Sequence, residues 1–110
     1  MEKEGKLEQF ITSEGIIAFV ESKFIQGVGK VFAKKIYDTL GERAYRLEEV
    51  SREEILQVPG IKEKVAKSIE ESLKSLPVAV SLLAFLFSCG LSYPEIKRLL
   101  ANMENKQRRL

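Results

Sequence analysis

The chain has 110 residues, 45% of them apolar and 31% charged, with 18 Lys+Arg against 16 Asp+Glu and neither His nor Trp. One domain with its own core is expected at this length, which buries roughly 60–70% of the unfolded surface. With no His and one cysteine, Cys89, the chain has no set for zinc, no iron–sulfur cluster, no Cys-His or Ser-His nucleophile and no internal disulfide. A lone aspartate, Asp38, argues against a metal-dependent nuclease, which needs convergent carboxylates. No catalytic residue, no metal site and no small-molecule substrate are expected of these residues, and a binding role gains.

The elements follow in chain order as an all-α pattern of about six helices. Residues 1–12 are a lead; Met1–Lys6 alternates acid and base and carries no targeting signal. Ser13 is placed to cap a helix whose Ile16, Ile17, Phe19 and Val20 form one apolar face. Gly27-Val28-Gly29 breaks it. From Lys30, an apolar stripe of Phe32, Ile36 and Leu40, with Ala33 and Tyr37 beside it, lies opposite Lys30, Lys34, Lys35 and Asp38. Gly41 is read as a left-handed cap, and a short helix through Ala44–Glu49 follows. Ser51-Arg52-Glu53-Glu54 spells a capping box for the turn carrying Ile55 and Leu56, which Pro59-Gly60 stops. Val65, Ala66, Ile69, Leu73 and Leu76 face one way on the next helix.

Val78–Leu91 is an uncharged run of 14 residues, short of the ~20 that span a bilayer, so it reads as a buried core helix with Pro77 in its first turn and Gly90 closing it. No membrane is implied, and the single thiol fits a reduced, cytoplasmic setting. Cys89 itself reads as a small buried hydrophobe. Ser92-Tyr93-Pro94-Glu95 is a second capping box, leading Ile96, Leu99, Leu100 and Met103 into a last helix. The domain thus covers 13–104, and 105–110 is a basic, frayed tail.

Net charge is +2, but it is unevenly spread: residues 1–22 sum to −3, 23–46 to +4, 47–76 to −2, 77–91 to zero and 92–110 to +3. An alternating field suits a protein with a basic face and equally an ordinary soluble helical surface.

Sliding the sequence by 33 residues lays Ile25-Gln26-Gly27-Val28-Gly29 on Val58-Pro59-Gly60-Ile61-Lys62, then Phe32 on Val65, Ala33 on Ala66, Lys34 on Lys67 and Ile36 on Ile69. A fainter third copy places Gly90-Leu91-Ser92 on Gly60-Ile61-Lys62. In an apolar-x-Gly-apolar-Gly hairpin the first glycine takes positive φ, the central apolar residue plugs the gap between helices, and the second glycine lets backbone come close to a ligand. The amides then lie at the N-terminus of the second helix, where unpaired donors and the positive dipole end favour phosphate. The candidate phosphate-binding residues are Gly27, Val28, Gly29, Lys30 and Lys34 in the first hairpin and Gly60, Ile61 and Lys62 in the second. Such contact is backbone to backbone and indifferent to base sequence.

Phe24 through Ile36 together with Val58 through Ile69 resembles the tandem helix-hairpin-helix motif of DNA repair and recombination proteins. More narrowly, Ser13-Glu14-Gly15-Ile16-Ile17-Ala18-Phe19, the two hairpins and Ser88-Cys89-Gly90-Leu91-Ser92 resemble, in order, the N-terminal region of RecD-like ATP-dependent DNA helicases, the exodeoxyribonuclease V alpha subunits. The resemblance covers residues 13–100 and implies a parent enzyme with motor domains downstream, ATP and Mg as its cofactors and DNA as its partner. This chain has no Gly-x-x-x-x-Gly-Lys-Ser/Thr loop, so it is read as a non-enzymatic part of that helicase. Lys62 stands where the second hairpin would have its second glycine, and the third copy, without that glycine or a flanking lysine, reads as scaffold. The other readings weighed are a protein-interaction or spacer module of the same helicase without DNA contact, and a helix-hairpin-helix glycosylase. The second lacks its catalytic aspartate, since no aspartate follows Asp38.

Overall fold

The computed structural model describes residues 8–109, with side chains described through Met103; the reading of Met1–Lys6 and the side chains of the basic tail, Arg108 and Arg109 among them, lie outside that range. Helical apolar spacing yields six α-helices and no strand among the described residues: α1 Ser13–Glu21, α2 Lys30–Leu40, α3 Arg52–Leu56, α4 Glu63–Lys74, α5 Val80–Ser88 and α6 Tyr93–Arg109, with a 3₁₀ segment, Gly41–Glu49, between α2 and α3. The fold is all-α. Backbone helicity carries through Arg109, beyond the residue 104 boundary.

One core joins these elements. Ile16, Phe19 and Val20 of α1, Ala33 and Ile36 of α2, Ala44 and Leu47 of the 3₁₀ segment, Ile55 of α3, Ala66 and Ile69 of α4, Val80, Leu83 and Ala84 of α5 and Ile96 of α6 are all buried. At roughly 25 cal/mol per Å² of apolar surface removed from water, burial of this set is the main stabilising contribution. Among the described residues no charged or polar one is buried with it. Helix α1 packs chiefly on α5 and α2, and α3 on α4.

The closest approach is between α1 and α5 at Gly15, where a Cβ would stand 1.9 Å from Ser88 Oγ and 2.9 Å from Ser88 Cα. Ser88 Oγ donates to Ala84 O at 2.8 Å and accepts from Thr12 N at 2.9 Å, joining two of the distant sequence landmarks in space.

Several local expectations are corrected. The N-cap of α1 is Thr12, whose hydroxyl accepts from Gly15 N at 2.9 Å; Ser13 lies inside the helix. Gly41 has positive φ, but its ψ of −132° is outside the left-handed helical region and leads straight into a 3₁₀ segment that kinks at Arg46. Pro77 belongs to the connecting bend, and α5 begins at Val80, whose amide donates to Glu48 Oε2 at 3.3 Å. Cys89 is exposed, because it is the C-cap of α5 and the chain turns outward there. Leu99 and Met103 are 41% and 49% exposed, so the apolar stripe of α6 is covered only near Ile96 and Leu100.

Candidate nucleic-acid interface

The three sequence repeats become three turns of the same hand. Gly27, Gly60 and Gly90 hold φ of +84°, +89° and +96°, the only non-helical glycines besides Gly41 with positive φ among the described residues. Val28 and Ile61, the residues after the first two, are buried at 6% and 5% exposure and plug the turns as expected. Matching bonds lead into them, Ile25 N donating to Ser22 O at 3.2 Å and Val58 N to Ile55 O at 3.1 Å, and Ile61 N donates to Val58 O at 3.1 Å across the second turn.

The first two turns also pack reciprocally. A Cβ on Gly27 would lie 3.1 Å from Ser68 Oγ of α4, and one on Gly60 would lie 2.9 Å from Phe32 Cε1 and 3.9 Å from Lys35 Nζ of α2. Positions 27 and 60, like 35 and 68, are 33 apart, so each turn rests on the equivalent point of the other repeat's helix. Two hydrogen bonds fasten the first of these contacts: Ser68 Oγ donates to Gln26 O at 2.8 Å, and Gln26 N donates to Ser72 Oγ at 3.0 Å.

Gly29 and Lys62 are the N-caps of α2 and α4, with φ, ψ of −92°, −175° and −114°, 179°. Both are extended conformations open to any residue, which is why lysine is tolerated at 62. A Cβ on Gly29 would meet nothing within 4 Å, and the residue is exposed, so the space beside this cap is open. The first hydrogen bonds within α2 and α4 run from Ala33 N to Gly29 O and from Ala66 N to Lys62 O, each 2.9 Å, leaving the amides of residues 30–32 and 63–65 ahead of the ladder.

Neither helix has a side-chain cap, and nor does α5 at Ala79, but there Glu48 of the 3₁₀ segment takes the Val80 amide. Every other α-helix start has an oxygen of the chain itself: Thr12 for α1, Ser51 and Glu54 for α3, Glu48 for α5, and Ser92 and Glu95 for α6. At α6, Ser92 N donates to Glu95 Oε1 at 2.8 Å, and this bond holds the Glu95 carboxyl below its ordinary range.

Cations differ between the two open turns. Lys30 and Lys34 are exposed beside the first, Lys34 in a weak pair with Asp38 at 3.4 Å, and no acid stands in the first turn of α2. Lys62 is exposed at the second, but Glu63 follows it, 3.5 Å from Arg52, whose other nitrogen holds Glu70 at 2.6 Å. Lys35, placed opposite the apolar stripe from sequence, is half-buried over the Phe32 ring at 5.7 Å and reaches the second turn. Periodicity gave no sign of that, since Lys35 serves the neighbouring repeat. Among the described residues no group of His, Cys, Asp and Glu could hold a metal, and no helix is long and apolar enough to cross a membrane.

Comparison of sequences relates the chain to a helicase. The chain is similar to the ATP-dependent RecD2 DNA helicase of Deinococcus radiodurans, with 35% identity over 88 residues, which is 80% of this chain and 12% of that protein. The relationship is therefore to a RecD-like helicase, and the chain spans about an eighth of its length. No family model matches, and no solved structure gives a significant match.

Proposed function

We propose that this chain is a tandem helix-hairpin-helix module that binds the DNA backbone without sequence preference, as a non-catalytic part of a RecD-like ATP-dependent helicase of the exodeoxyribonuclease V alpha type, acting in DNA repair and recombination. The observation that carries the reading is the pair of open helix starts: among the described residues no side-chain oxygen reaches the first amides of α2 and α4, whereas at α5, also without a cap, Glu48 accepts from Val80 N. They are also the two turns with a lysine at or next to the N-cap. A phosphate oxygen supplies the missing acceptor, favoured by the helix dipole and by Lys30 and Lys34 in the first turn and Lys62 in the second. Gly27, Val28, Gly29, Gly60 and Ile61 contribute through backbone; the buried Val28 and Ile61 side chains fix the turns.

Downstream motor domains handle ATP and Mg in this reading, and the setting is cytoplasmic. An isolated module with two or three phosphate contacts binds weakly, with Kd of order 10⁻⁴ to 10⁻⁶ M and a slope of log affinity against log salt of about −2 to −3. Titrating labelled single-strand and duplex oligonucleotides at two salt concentrations tests it. The double change Gly29→Asp with Lys30→Glu is expected to abolish measurable binding. Unaltered affinity in that variant, or binding indifferent to salt, would replace the proposal with a spacer or protein-docking role.

A further inference from the structure

A groove of about 350 Å³ lies between the first turn and the start of α6, walled by Lys23, Phe24, Gln26, Tyr93 and Lys97. A wider concavity of about 430 Å³ shares Lys23, Gln26 and Tyr93 with it and continues across Gly27 and Val28, so groove and phosphate turn are contiguous. Both volumes lie in the ~300–1,000 Å³ range of small-ligand sites.

Tyr93 is half-buried, set against Phe24 in a T-shaped contact with centroids 4.8 Å apart. Phe24 is anchored in turn by Phe19 and Phe87 at 6.2 and 6.3 Å, so the tyrosine stands on a rigid aromatic base. Lys97, one turn further along the same helix, holds its Nζ 6.0 Å from the Tyr93 ring centroid, so a cation already stands beside the ring at the groove. The far wall carries Glu71, Ser72 and Ser75. A carboxylate there repels phosphate but accepts from the amino groups of a base, while Lys23 and Lys97 at the rim suit the phosphates on either side. The lining therefore fits an unpaired base better than a stretch of backbone, and only a single strand offers its bases free of pairing.

We infer that this groove is a nucleobase subsite in which Tyr93 stacks on one base of a single strand whose neighbouring phosphate rests on the first turn. The inference depends on the phosphate reading of that turn and extends it to strand preference.

Because the chain has no Trp, Tyr93→Trp provides a single fluorescence reporter in the groove. Titration of the full chain with a mixed-sequence single strand, an abasic strand of equal length and the matching duplex is expected to quench the reporter with the first alone. Tyr93→Ala should weaken single-strand binding by about 5- to 150-fold, the worth of one stacked base, leave abasic-strand and duplex binding unchanged, and be rescued by Tyr93→Phe. A reporter unmoved while the single strand binds, or equal losses on single strand and duplex, would overturn the subsite and leave the turns intact. Absence of binding by the unaltered chain to any of the three would remove both readings. Should Tyr93→Ala lose its helical circular dichroism, the reporter and the Tyr93→Phe affinity decide alone.

Discussion

Helices α2 and α6 start from the same kind of turn and finish it differently. Gly27 and Gly90 share positive φ, and each turn feeds a helix through an extended N-cap region or a capping box. At α6 the chain closes on itself: Leu91 N donates to Leu86 O at 3.3 Å in a Schellman pattern, and Ser92 and Glu95 cap each other. At α2 the glycine at the cap has no side chain to offer, and no other side chain of the described residues accepts from the first amides. A glycine turn is therefore only a backbone geometry; whether it receives a ligand depends on what already occupies the helix start.

The contrast is open to experiment, beginning with the largest effect. Gly60→Ala forces positive φ on a side chain and drives its Cβ onto Phe32 at 2.9 Å, so a loss of about 2–4 kcal/mol is expected in urea unfolding. Gly90→Ala meets no atom within 4 Å and should cost the backbone term alone, about 1–2 kcal/mol. Equal losses at 60 and 90 would mean that the first two turns are not packed reciprocally. Ser92→Ala removes the cap of α6 and is expected to cost about 0.5–2 kcal/mol by the same measurement.

Smaller still is Gly29→Asp, which adds a cap where none exists in a conformation aspartate adopts freely. It should stabilise the fold by a few tenths of a kcal/mol while weakening oligonucleotide binding. Opposite signs for stability and affinity are the signature of a helix start kept open for an anion; a matched fall in both would mean that Gly29 serves packing. The smallest effect is a titration. Glu95 has its folded pKa lowered by the Ser92 amide, so its capping contribution is complete above the ordinary glutamate value of about 4.3 and is lost as pH falls through the depressed folded value. In an NMR pH titration the Ser92 amide should follow that midpoint, whereas the Val31 amide should not move with it.

The turns and their plugs were legible because a shift of 33 residues superposes glycine, apolar residue and helix stripe, and each of those has one physical use. The capping boxes at Ser51 and Ser92 were legible for the same reason, since hydroxyl and glutamate three apart leave little alternative. What sequence missed was set by other elements. Thr12 displaced Ser13 as the cap of α1 because its amide is also held by Ser88. Pro77 lost the helix start to Val80 because Glu48, from the 3₁₀ segment, supplies the acceptor there. Tyr93 could be placed on a helix from its neighbours, but its groove requires the first turn to lie alongside, and no local pattern records that.

The Gly15–Ser88 contact has a consequence for synthesis. Helix α1 lays Ile16, Phe19 and Val20 against an α5 that emerges some 60 residues later, and Thr12 and Ser88 are bonded across a separation of 76. As the ribosome releases the chain from its N-terminus, α1 can pack on α2 early, but the part of its face that meets α5 stays uncovered until α5 arrives. Despite its repeated sequence, the molecule depends on a late, long-range contact, and truncation before residue 80 leaves α1 with α2 alone to cover it.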